Sequence, residues 1–84
     1  MEEQNLFVIV KHEGTMWERQ YVVSAEEKDL LDRMAVVAKE IKAYGQCKYA
    51  NMPEQKGSMT GLGNRILRTA DKMMSDFDSV HRNY

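Results

Sequence analysis

The chain has 84 residues, 12 basic and 13 acidic side chains, a net charge of −1 near pH 7, and a single cysteine, Cys47. A chain this short makes one small domain, residues 1–84, and buries only about 60–65% of the surface its unfolded form exposes. The balanced charge excludes a global field drawing the protein to nucleic acid or anionic lipid, and one cysteine excludes an internal disulfide and suits a reducing cytoplasm. Oligomerisation is the remaining route to stability for a small domain without staples, so a homodimer is expected. The apolar run LFVIV follows two acids and is too short for a signal peptide or a membrane span, which predicts a soluble protein with no membrane association.

Met1–Gln4 reads as a frayed end. Leu6–Lys11, LFVIVK, is β-branched and aromatic and predicts a strand; MWERQYVVS predicts a second, so residues 5–24 form a β-hairpin with Gly14 supplying the positive φ of its turn. A two-residue loop at Glu13-Gly14 pairs Val10 with Trp17 and puts Leu6, Val8, Val10, Trp17 and Tyr21 on one face. A three-residue loop, His12–Gly14, collects Phe7, Ile9, Trp17 and Tyr21 instead, and is preferred because it brings the large rings together. In either register the first strand is apolar on both faces, and something has to cover the side away from the helices.

Ser24-Ala25-Glu26-Glu27 has the form of a capping box. Leu30, Leu31, Met34, Val37, Ala38, Ile41 and Tyr44 continue at helical spacing, Asp29 and Arg33 make an i,i+4 pair, and Gly45 stands where a left-handed C-cap is wanted, so a helix is predicted from Ala25 to Tyr44. Residues 46–52 alternate weakly, with Cys47 and Tyr49 against Lys48 and Ala50; a short third strand ended by Pro53 and a plain loop are both open. A second helix follows a glycine-rich start, GSMTGLGNR, and runs to Val80. Its apolar stripe is Leu62, Ile66, Ala70, Met73, Phe77 and Val80, widened by Leu67 and Met74, with Arg65, Arg68 and Lys72 on a separate flank. The fold class is α+β, ββ(β)αα, two antiparallel helices on one face of a small antiparallel sheet.

Gly57, Gly61 and Gly63 would let backbone approach a ligand at a helix start, where free N–H groups favour anions. The spacing is neither a Walker loop nor a dinucleotide fingerprint. The plainer reading makes Ser58 or Thr60 an N-cap and the glycines a means of close packing against the first helix. Of the seven methionines, most are expected to fill core, with Met59 and Met74 at the margin of the stripe as interface candidates. His12 in the turn and His81 in the tail lack any metal-ligand spacing, and Cys47 has no catalytic signature around it. Glu26, Glu27 and Asp29 are accounted for by capping and solubility. No metal, cofactor or catalytic residue is expected.

The segment GSMTGLGNRILRTADKMM, residues 57–74, resembles the C-terminal segment of small phage-encoded anti-CRISPR proteins acting on type I-F surveillance complexes. The resemblance implies an antiparallel sheet with two antiparallel helices, and a non-enzymatic anti-defence inhibitor that occupies a host machine. That family's contacts lie mainly on its sheet, where nothing here matches, so no residue role carries over.

The residues point first to a small binding or inhibitor protein acting on a host protein or complex, with Trp17, Arg19 and Tyr21 as partner-binding residues because Trp, Arg and Tyr anchor interfaces. The alternative is an RNA- or nucleotide-binding protein whose basic patch joins Lys48, Tyr49, Gly61, Gly63, Arg65, Arg68 and Lys72.

Overall fold

The computed structural model describes residues 5–82, and Met1–Gln4, expected to fray, lies outside them. In chain order it contains β1 (Leu6–Lys11), β2 (Arg19–Ser24), α1 (Ala25–Lys48) and α2 (Pro53–Arg82). The architecture is the expected α+β arrangement, with no third strand among the described residues: one antiparallel hairpin packed against a pair of antiparallel helices, in the order ββαα.

β1 and β2 pair from Leu6↔Ser24 through Ile9↔Tyr21 to Lys11↔Arg19. Residues 12–18 therefore all belong to the connection, which corrects both short-loop registers and moves Trp17 off the strand. The loop is held by its own side chains. Thr15 donates from both N–H and Oγ1 to the His12 carbonyl, at 3.2 and 2.7 Å. The Glu18 carboxylate accepts the Gly14 N–H at 3.0 Å, and His12 (φ 56°) and Gly14 (φ 79°) adopt left-handed backbone. Such local bonds compete with the strand ladder, and strand propensity does not register them. In the observed register Ile9, Tyr21 and Val23 pack toward the helices. Leu6, Val8 and Val10 point the other way, and among the described residues that face stays exposed.

α1 starts where the sequence placed it. The Glu27 N–H donates to Ser24 Oγ at 3.2 Å and Glu27 Oε1 accepts the Ser24 N–H at 2.7 Å, a complete capping box. Asp29 and Arg33 pair at 2.6 Å. The helix does not stop at Tyr44, however. Gly45 is buried within it, the C-cap is Tyr49, and residues 46–52 finish the helix and turn instead of forming a strand. A Cβ on Gly45 would stand 2.4 Å from Met59 Cβ, so this glycine serves the close approach of α2 and not a left-handed turn.

α2 begins at Pro53, whose missing N–H is harmless in the first turn. The glycine-rich segment thus lies inside the helix. Ser58 and Thr60 are not N-caps, and the Ser58 hydroxyl donates to the Glu54 carbonyl at 3.0 Å. The seam of α2 is also turned by one position from the expected stripe. Gly63, Ala70, Met74 and His81 are buried, while Leu62 and Val80 are exposed. Starting the stripe at Gly63 gives 63, 67, 70, 74, 77 and 81, alternating steps of four and three; its two ends, Gly63 and His81, are residues that an apolar pattern could not mark. Met74 consequently sits in the core with Val23, Leu31 and Ala70, bordered by Ile9, Tyr21, Met34, Met73 and Phe77. The expectation that Met59 and Met74 face a partner is corrected, since Met59 seats against Gly45.

Candidate partner-binding cleft

Lys11 at the end of β1 and Arg19 and Tyr21 on β2 share the helix-facing side of the hairpin, because odd-numbered residues of these strands project to one face. The long connection folds His12 and Trp17 beside them. The middle of α2 contributes Asp71 and, as a floor, buried Met74. Together these seven side chains line an open cleft of about 470 Å³.

The three residues chosen from sequence for an interface, Trp17, Arg19 and Tyr21, are therefore brought to one place. Trp17 is 71% exposed, held by its N–H donating to Thr15 Oγ1 at 3.2 Å. Lys11 Nζ lies 3.6 Å from Asp71 Oδ1 across the cleft, leaving Arg19 without an ion-pair partner among the described residues. The cleft thus offers a fork of guanidinium donors, the rings of His12, Trp17 and Tyr21, and a thioether floor. That set suits a carboxylate beside an aromatic or aliphatic group on a protein surface. Lys11, His12, Asp71 and Met74 were not singled out for it from sequence. Only the alternation of β1 could have found Lys11, and the others meet through tertiary contact.

The basic group of the alternative reading is drawn out along the helical hairpin. Gly63 is in the helix seam, where a Cβ would fall 2.7 Å from Lys42 Cγ and 2.9 Å from the Ala38 carbonyl oxygen. Gly61 is mid-helix and makes no free-N–H cradle. Lys48 and Tyr49 lie at the α1 terminus beside the start of α2, and Tyr49 meets Tyr44 edge to face with centroids 6.1 Å apart. Lys72 is displaced from that end by residues 59 to 72, roughly 20 Å at about 1.5 Å per residue, and pairs with Asp76 at 3.1 Å. Arg65 and Arg68 are exposed between them.

A polar latch closes the end of the molecule behind the cleft. Asp78 Oδ1 accepts the Val22 N–H at 2.8 Å and Arg82 Nε at 2.6 Å, and Arg82 also donates to the Gln20 carbonyl at 3.3 Å. These bonds, with that of Arg82 first, hold the Asp78 carboxyl below its ordinary value. His81, expected in the C-terminal tail beyond the helix, is instead buried in α2 and donates from Nε2 to Glu27 Oε1 at 2.7 Å. Burial alone would push the Glu27 carboxyl up; the hydrogen bonds from the Ser24 N–H, His81 and the Ser24 hydroxyl outweigh it and lower it. Among the described residues no three His, Cys, Asp or Glu side chains gather at metal-binding distance, Cys47 is an exposed thiol, and no helix is long and apolar enough to cross a membrane.

Compared with known proteins, the chain matches no family model, no curated protein and no solved structure.

Proposed function

We propose that this is a non-enzymatic binding protein that acts in the cytoplasm by covering a surface of a larger protein or complex, seating an acidic side chain and a neighbouring apolar group of that partner in the Trp17–Arg19–Tyr21 cleft. One observation carries the reading: residues of the types that dominate interface energetics converge on one open cleft with a buried floor. An inhibitor of a host defence complex, the genre implied by the anti-CRISPR resemblance, would work in this way. The RNA- or nucleotide-binding reading has less support, because its cations are strung along two helices and Lys72 is already paired.

The test is native mass spectrometry of the protein gently purified from host cells, repeated with Trp17→Ala and Arg19→Ala. A protein companion carried by the wild type and lost from both variants, with their helical circular dichroism unchanged, is the expected result. Co-purifying RNA or nucleotide lost on Arg65→Ala and Arg68→Ala, with affinity falling steeply as salt rises, would sink the proposal in favour of its rival.

A further inference from the structure

The two strands differ at their outer edges. On β2, the Val22 N–H goes to Asp78, the Gln20 carbonyl to Arg82 and the Ser24 N–H to Glu27. Residues 20, 22 and 24 therefore turn their main-chain groups away from β1, and helix side chains bond one such group on each. In an antiparallel ladder, the residues opposite such positions also turn outward. Those residues are Val10, Val8 and Leu6, and the bond from the Ala25 N–H to the Asn5 carbonyl at 3.2 Å fixes the same phase. Among the described residues, no hydrogen bond from another element reaches their N–H or C=O groups. Their side chains lie on the open face of the sheet, exposed by 45% at Leu6, 59% at Val8 and 38% at Val10.

β1 carries none of the devices that keep a sheet edge from pairing. It has no proline, its ladder has no bulge, and its one charge, Lys11, stands at its end, turned to Asp71. An edge left this way is a template for another strand.

We propose that β1 pairs with β1 of a second copy of this chain, antiparallel about a twofold axis at Val8, making a continuous four-stranded sheet in the order β2–β1–β1–β2. Three features select a second copy over a foreign peptide. The strand is self-complementary: in this register Leu6 meets Val10 of the second copy, Val8 meets its own counterpart, and Phe7 meets Ile9. Lys11 falls opposite Asn5, so no like charges collide, and about six interchain hydrogen bonds form. Finally, both outer edges of the joined sheet are β2 strands already sealed by Asp78 and Arg82, so assembly closes at two copies instead of propagating. The pairing uses the sheet edge and not the helix-facing cleft, so it stands or falls independently of the proposed partner.

The test is sedimentation velocity of the full chain over a concentration series, joined to amide hydrogen exchange. The expected species has twice the 9.8 kDa chain mass, with slow exchange at the Leu6, Val8 and Val10 amides. Val8→Pro removes an N–H that the hairpin itself does not use, and should halve the mass with helical circular dichroism retained; Val8→Thr keeps the N–H and should stay dimeric. A wild type of single-chain mass, or a dimer in which those three amides exchange freely, overturns the proposal. So does a dimer that survives Val8→Pro. Loss of the dimer in Val8→Thr would show that the open faces pack on each other instead. If Val8→Pro does not fold, the wild-type exchange pattern decides alone.

Discussion

The two ends of the helical hairpin are closed by different means. At the sheet end, where α1 begins and α2 finishes, side chains fill the space. Val23, Leu31, Ala70 and Met74 form the core, and Glu27, Asp78, His81 and Arg82 tie both helices to the strands. At the turn end no comparable cluster occurs among the described residues; Gly45 and Gly63 bring backbone to side chain with no room for a methyl group. One end depends on apolar volume and partly buried hydrogen bonds, the other on the absence of side chains. Each therefore fails under a different kind of substitution.

The largest effect is expected at the sheet end. Met74→Ala removes the floor shared by core and cleft and should destabilise the protein by about 2–5 kcal/mol, read as a lowered urea midpoint at unchanged slope. An unaltered midpoint would mean that the cluster around Met74 is not the core.

Glycine substitutions sharpen the contrast. Gly45→Ala puts a Cβ 2.4 Å from Met59 Cβ, which is not the free end of a side chain, and should destabilise by about 1–3 kcal/mol through overpacking. Gly57→Ala, at a helical position with nothing within 4 Å, should have the opposite sign, stabilising by about 0.5–1 kcal/mol through helix propensity. Equal responses in denaturant titrations would show that the helices do not approach closely at Gly45.

Acid gives the smallest effect, because the Glu27 and Asp78 side chains are 21% and 19% exposed and partly screened. Both carboxyls are lowered in the folded protein from ordinary values of 4.5 and 3.8. Their contribution is complete above those values and is lost as pH falls through the lower folded-state values, since the unfolded chain binds the protons first. Urea midpoints should drop over that acidic window, and Glu27→Gln with Asp78→Asn should flatten the drop. A slope unchanged by the pair would remove the latch from the account of stability.

What could be read without the structure follows this division. The capping box at Ser24, the strand at Leu6–Lys11 and the positive φ of Gly14 were legible because each depends on a few neighbouring residues and their own hydrogen bonds. Trp17, Arg19 and Tyr21 could be nominated from residue type alone, but the cleft uniting them with Asp71 and Met74 needs the packing of α2 on β2. The glycine-rich segment was the most misleading stretch. In isolation its glycines signal a helix entry, whereas Gly63 lies inside α2 and packs against Ala38 and Lys42 of α1, as Gly45 of α1 packs against Met59.

The sequence by itself determined two strands followed by two helices, though not the fate of residues 46–52, because hydrophobic periodicity and capping act over a turn or two of chain. Tertiary structure alone decided the one-position rotation of α2, the helical fate of residues 45–48 and the burial of His81 against Glu27. Each of these depends on which distant backbone comes close enough to exclude a side chain or to accept a hydrogen bond, and that is a property of two segments together.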